Sequence, residues 1–380
     1  MKIESGSSMK PDARAAIEEA SKKWQTAGSP DFIFVFHSTN QDPREVAAEI
    51  SRRFPKVPFA GCTSTGEHLN GKHFNGSLVI SAIYAKEIRW RVAVIENIKD
   101  MNEKAARNAV DSLLSELNIS RDEINPEKQF CMTFIDGLSL KEELVSSLVA
   151  EALDGIPLIG GSAGDDLKFL KTYVIANGRS YENAAVLVMA DSQVPFQVIK
   201  HQHFLKTPKQ LVITKVDPAT RTVYEMDGLP AAEAYAKAIG VDLKTLNADI
   251  AFVNPLMFRV NNEFYVRSVQ KINDDGSIVF YCGVEEGVVL EVGHHEVIDD
   301  ALSLELKELQ LKGLQKAELF IVCNCILRAL ETTKEDKHNS LGQLINTISP
   351  SVIGFDTYGE QLNGLHINQT LVGIALGRAA

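Results

Sequence analysis

The chain has 380 residues, 45% of them hydrophobic and 23% charged, with a formal net charge of -11. That is enough for two ordinary domains with full cores, and the acidic balance leaves no basic stripe to neutralise phosphates, so nucleic acid and anionic membranes are set aside as partners. No apolar run approaches the ~20 residues of a bilayer span, and the start MKIESGSSMK lacks the apolar centre of a signal peptide, so the expectation is a cytoplasmic protein with no membrane anchor.

Helical periodicity runs from Asp12 to Thr26, with Ala16, Ala20 and Trp24 on one face. Asp31 to Phe36 is a near-continuous apolar strand of the kind buried on both faces. Pro43 opens a helix through Phe54, and Val57 to Gly61 returns as a strand, an order that predicts a parallel pair and an α/β fold. Strands over Ser77 to Tyr84 and Ile88 to Ile95 are followed by a helix from about Asn102 to Leu117. Gln129 to Ile135 (strand), Lys141 to Leu153 (helix) and Ile156 to Gly160 (strand) come next, then strands over Lys171 to Asn177, Asn183 to Ala190 and Phe196 to Phe204.

The pattern pauses at Lys206-Thr207-Pro208, and from Leu211 a second domain is expected: 1–28 as an N-terminal helix, 29–210 as one domain, 211–380 as the other. Thr222 to Asp227 reads as a strand and Pro230 to Ile239 as a helix. Short strands follow over Ala251 to Val253, Phe258 to Val260, Glu263 to Val269, Ser277 to Tyr281 and Val288 to Val292, then a helix from Ile298 to Lys312 and a buried strand from Leu319 to Cys323.

One stretch occurs twice. Gly66 to Ala82 reads GEHLNGKHFNGSLVISA, and Gly359 to Ala375 reads GEQLNGLHINQTLVGIA. Such repetition implies two related mixed α/β halves. Asn70-Gly71 and Asn363-Gly364 are the favoured pair for a tight hairpin turn. If a strand begins at once, its period of two sets His73, Asn75 and Ser77 on one face and His366, Asn368 and Thr370 on the equivalent face. Such a row either orients a small polar ligand, supplies a His to a metal or heme, or is a solvated hairpin face satisfying local backbone groups. Glu67 and Glu360 each follow a glycine at a strand end; together they could bind an amine, and separately they are acceptors for turn amides. Gly160-Gly161-Ser162-Ala163-Gly164-Asp165 is a weaker echo of the same strand end.

Five cysteines, an odd number, do not form a disulfide framework, and Cys131, Cys282 and Cys323 read as small buried residues. Cys62 in a glycine-bounded turn could act as a nucleophile with His68 or His73 as base, but the second copy carries Phe355-Asp356-Thr357-Tyr358 there and no thiol. His201 and His203 alternate on one expected strand face, and His294-His295 precede a helix as its exposed entry.

Several motifs in order resemble the FIST sensory-domain family: Gly61-Cys62-Thr63-Ser64-Thr65-Gly66-Glu67, Val223-Tyr224-Glu225-Met226-Asp227-Gly228-Leu229-Pro230-Ala231, Asn254-Pro255-Leu256, Val266-Arg267-Ser268, Cys325-Ile326-Leu327-Arg328 and Tyr358-Gly359-Glu360. The resemblance implies N- and C-terminal FIST parts over nearly the whole chain and a non-catalytic signal-input module. The ending Gly354-Phe355-Asp356-Thr357-Tyr358-Gly359-Glu360-Gln361 is most similar to the stand-alone nitric-oxide-sensing heme proteins that regulate a histidine kinase or cyclic-di-GMP enzyme. A heme needs an axial imidazole and cations for its propionates. His366 is the first choice of metal ligand, then His73 and His37, with Arg328 (or Arg259, Arg267) as anion partner. Glu67, Asn75, Glu360, Asn368 and Thr370 are the expected ligand-binding residues. The alternative within the family is a heme-free sensor of an amino acid or similar metabolite. Either form is compatible with a homo-oligomer.

Overall fold

A computed structural model describes residues 1–24, 28–311 and 316–378. The fold is mixed α/β, as expected. Among the described residues no helix is long and apolar enough to cross a membrane. Contacts divide the chain into two units, Met1–His201 with Ser303–His366 and Leu371–Ala380, and Gln202–Leu302 with Ile367–Thr370. The expected 211–380 segment is thus shared between them: most of 303–380 belongs with the first unit.

The first unit contains one arrangement three times. A strand runs into one or two helices, a parallel strand returns, a two-residue hairpin projects, and an antiparallel strand closes the motif. In the first copy these are Phe32–His37, Pro43–Arg53, Phe59–Thr63, the hairpin Glu67–Leu69/Lys72–Phe74, and Leu78–Tyr84. In the second they are Gln129–Ile135, Glu142–Leu153, Leu158–Ser162, Val174–Ala176/Arg179–Tyr181 and Ala184–Ser192. The third consists of Lys316–Cys325, the helices Ile326–Lys334 and His338–Ile348, then Val352–Thr357, Glu360–Leu362/Leu365–Ile367 and Leu371–Arg378. The weaker echo at Gly160 is therefore a full member of the series. The two helices after Cys325 and the strand Lys2–Ser8 lie where no element is expected from sequence.

Each hairpin is delivered to a neighbouring copy. The first pairs with the third copy's strand (Gly354↔His68, Phe355↔Glu67), the second with the first copy's (Val174↔Cys62), and the third with the second copy's (Glu360↔Gly161). This cyclic exchange builds three six-stranded sheets. All three hairpins turn on Asn-Gly with positive φ at both residues (Asn70 49°, Gly71 74°; Asn177 48°, Gly178 91°; Asn363 46°, Gly364 91°), the geometry that matches strand twist. At equivalent strand positions Gly61, Gly160 and Gly354 oppose Val35, Thr133 and Val322. An added Cβ would lie 1.6, 2.0 and 2.1 Å from those residues' carbonyl oxygens, so only glycine fits. Between the sheets Phe36, Phe134 and Phe355 meet, one from each copy, with ring centroids 4.5, 5.5 and 5.9 Å apart. Burying each ring stabilises the exchange by roughly 2–3 kcal/mol.

The helices form where capping and periodicity direct them. Asp42 accepts from the amides of Arg44 and Glu45 ahead of Pro43, and Val46, Ala47 and Ile50 bury against Ile33, Val35 and Ile80. The first helix covers Ala13–Ser21; Thr26, its expected end, and Lys312, the expected end of the later helix Ile298–Leu311, lie outside the described residues.

The second unit is an eight-stranded antiparallel sheet, against which the helix Ala231–Ile239 buries Ala231, Ala232, Tyr235 and Ala236. Four local expectations are corrected. Ala251–Val253 is not a strand but the end of the helix Ala248–Val253, because Asn247 caps it through the Ile250 amide. The pause at Pro208 lies inside a strand, Phe204–Asp217, whose register shifts between Lys206 and Gln210 to absorb the proline. The strand expected over Phe196 to Phe204 ends at His201 and a new one starts at Phe204, so no period-two argument sets His201 and His203 on one face. His294, which is exposed, and His295 do precede the helix Ile298–Leu311, but as the last residues of the strand Val289–His295 rather than as its entry.

Candidate functional site

Counting outward from the Asn70-Gly71 turn sets His68 opposite His73, and directly opposed residues of an antiparallel pair share one face. The hairpin exchange then brings this face to Asp356, two residues beyond Gly354 on the third copy's strand. Asp356 is fully buried. Its Oδ1 accepts from His68 Nε2 at 2.7 Å and from Asn324 Nδ2 at 2.7 Å, and its Oδ2 accepts from His73 Nε2 at 2.6 Å. Asn324 is the parallel-register partner of Asp356, and its own Oδ1 accepts from Arg328 Nε at 3.1 Å. Gly66 lines the same space: a Cβ there would lie 2.3 Å from Asp356 Oδ2 and 2.7 Å from His73 Nε2. His338, the first residue of the helix His338–Ile348, stacks on His73 with centroids 4.1 Å apart and planes 8° from parallel, while its Nε2 meets the Thr333 hydroxyl at 2.8 Å.

The electrostatics follow from burial set against pairing. Burial alone would raise the pKa of Asp356, but the two imidazoles hold it well below the usual carboxylate range. Burial works against protonated His73, yet the Asp356 charge and hydrogen bond leave its pKa raised. His338 is lowered to about 4, first by burial and then by its cationic neighbour His73, so a neutral ring stacks on a charged one. The carboxylate has 0% side-chain exposure, whereas His68 has 15% and His73 7%; the charge is inside and its imidazoles lead outward.

The two recurring acids have a different setting. Glu67 is buried and accepts from Ser64 Oγ at 2.5 Å and from the amide and hydroxyl of Ser77 at 3.0 and 2.7 Å, tying the end of one strand to the start of the next. Burial raises its pKa to about 7, against the pull of those serine donors. Glu360, also buried, accepts from the Thr357 hydroxyl at the equivalent place. In the second copy Val174 stands there, and Asp165 instead accepts from the Phe169, Leu170 and Lys171 amides and from the Tyr358 hydroxyl.

The remaining expected site residues are dispersed. Asn75 is exposed, and Gly76, with φ 78°, interrupts the strand after it, so the row His73, Asn75, Ser77 is not formed; Gln369, with φ 51°, interrupts the other copy in the same way. His366 is 1% exposed, and its Nδ1 meets Gln361 Nε2 at 3.1 Å. His37 is 0% exposed, bonds the Ser38 carbonyl at 2.8 Å through Nδ1, and is lowered to about 4 by burial. Asn368 and Thr370 are buried in the short segment that belongs to the second unit, where Asn368 bridges Val266. Arg328 is buried beside Asn324, Arg259 is exposed, and Arg267 lies over the Phe258 ring at 4.2 Å. Cys62 is buried and its thiol pKa is raised well above the ordinary value by that burial, which removes the thiolate a nucleophile needs. Sequence reasoning did not join His68 to Asp356, Asn324 and His338. The opposition of His68 and His73 was countable from the Asn-Gly turn; the arrival of Asp356 was not.

Comparison with known proteins gives two family matches: the FIST N domain over residues 31–229 and the FIST C domain over residues 231–363. An uncharacterized protein of Methanocaldococcus jannaschii is 23% identical over 386 residues, spanning 90% of this chain and 72% of the relative.

Proposed function

The chain belongs to the FIST family, whose domains are sensory modules for small ligands, and on that premise we propose that it senses a small polar ligand at the His68–His73–Asp356 face. The observation that carries this reading is a fully buried aspartate held ionised by two imidazoles, His68 with 15% and His73 with 7% of the side chain exposed. A buried ion pair contributes little net stability, so a preorganised one at an accessible place marks a functional site. A ligand that competes for His68 or His73 acts on the exchanged hairpin, which joins the first copy to the third. Its differential affinity for the two arrangements is what can be passed on by population shift to a partner, a histidine kinase or cyclic-di-GMP enzyme in the reading the resemblance implies.

Heme-based nitric oxide sensing is the finer alternative, in which heme iron would supply the gas-binding position. As arranged here the three histidines first expected as axial ligands are enclosed or hydrogen-bonded. Of the expected axial ligands, His366 is 1% and His37 0% exposed, and His73 Nε2 bonds Asp356 Oδ2 at 2.6 Å. The test is a thermal-shift screen of amine- and carboxylate-bearing metabolites, run beside absorption spectra of protein produced with heme supply and exposed to nitric oxide. A metabolite shift of several degrees that disappears in His68→Ala supports the polar-ligand reading. A near-stoichiometric Soret band that moves with the gas refutes it in favour of heme.

A further inference from the structure

We propose that His68, His73 and Asp356 form a binding site for a divalent first-row transition-metal ion, the ion taking the place of the protons now shared between the two Nε2 atoms and the carboxylate. The three ligand atoms lie within 4.8 Å of one another. Two imidazoles and one carboxylate on one face are the donor set of open transition-metal sites, and the nitrogens select such ions over calcium or magnesium, which take oxygen ligands.

Metal–ligand bonds of about 2.0–2.2 Å in tetrahedral geometry separate neighbouring donors by roughly 3.3 Å. His68 Nε2 lies 2.7 Å from Oδ1 and His73 Nε2 2.6 Å from Oδ2, so each imidazole retreats by about 0.6 Å from its own carboxylate oxygen, while the two Nε2 atoms, within 4.8 Å of each other, settle at the same spacing. Both rings lie on a two-residue hairpin, and the space beside them is kept open by Gly66. The supporting shell is already built. Asn324 orients the carboxylate through Oδ1, Arg328 orients Asn324, and the His338 ring fixes the plane of His73. Such outer contacts accompany metal ligands and tune them. Three protein ligands leave at least one coordination position for an exogenous group. The proposal rests on the sensor reading only for the purpose of the ion, which would grip the sensed ligand; the site itself rests on the donor geometry.

The test uses the full chain, stripped with chelator and titrated with Co2+ and with Zn2+ by calorimetry, Co2+ absorption and imidazole nitrogen NMR. The expected result is one equivalent bound at micromolar Kd or tighter, with Co2+ absorption in the visible and shifted Nε2 resonances of His68 and His73. His68→Gln and His73→Gln should each weaken binding by about 100-fold or more, and Asn324→Ala by roughly 10- to 100-fold. Asp356→Asn is checked for folding by circular dichroism, and the half-open His68→Gln serves if it does not fold. Absence of saturable binding of either ion up to roughly 1 mM, or binding undiminished in both imidazole variants, overturns the site. A chain that binds neither ion yet responds to a metabolite through His68 sinks the metal and keeps the sensor; metal binding with no metabolite response does the reverse.

Discussion

Replacing Glu67 by glutamine should flatten a pH dependence of stability that this one carboxyl creates. The group has an ordinary pKa of 4.5 and is raised to about 7 in the folded chain. The folded state therefore holds the proton more tightly than the unfolded state. Stability from this group is present in full below about pH 4.5, declines as pH rises towards about 7, and is gone above it. At 1.36 kcal/mol per pH unit the gap amounts to roughly 3 kcal/mol. Glu67→Gln keeps the shape: its amide oxygen can accept from the Ser77 amide, and its NH2 group can donate to Ser64 Oγ. It has no proton to lose, so its stability lacks this contribution to the slope. The assay is urea unfolding of wild type and variant at intervals from pH 4.5 to 8, taking the difference at each pH so that carboxylates common to both cancel. Wild type should lose about 3 kcal/mol relative to the variant across the window. Parallel curves would refute the reasoning, and would mean that the serine donors fully offset the cost of burying the charge.

Gly354→Ala should destabilise the first unit by about 3 kcal/mol in urea unfolding, and Gly61→Ala and Gly160→Ala similarly, since each new Cβ meets a neighbouring strand's carbonyl that cannot retreat. A cost under about 0.5 kcal/mol at all three would show that the strands can part. In an NMR titration His73 should titrate above its ordinary 6.5 and fall in Asp356→Asn, where only the Glu67 charge still opposes burial; its stabilising contribution is present below about 6.5 and lost as pH rises through the raised value. His338 should show no titration above about pH 5, and a midpoint near 6.5 would contradict its packing on His73. The five buried thiols should resist an aromatic disulfide reagent in native protein and all react after unfolding; rapid native labelling of Cys62 would reopen the case for thiol chemistry.

Elements that obey local rules were legible along the chain. The apolar run at Phe32–His37 became a doubly buried strand, Pro43 behind Asp42 opened a helix, and Asn70-Gly71 and Asn363-Gly364 closed hairpins, because each depends on neighbours within a few residues. Two copies of the repeat were legible in full and the middle one only as an echo at Gly160–Asp165. The middle one keeps Asn177-Gly178 but has Val174 in place of the acid and a longer connection between Ser162 and Val174, and hydrogen bonding to a backbone register does not require side-chain identity. Where the hairpins go is set by contacts between distant strands. Each leaves its own sheet for a neighbour's, and so His68 and His73 meet Asp356, 288 and 283 residues away. It also decided the fate of the expected row of polar side chains, since a single left-handed residue after each hairpin resets the alternation. Period and turn chemistry are local and can be read along the chain; charge pairing and burial depend on which distant strand completes the sheet, and no local pattern carries that choice.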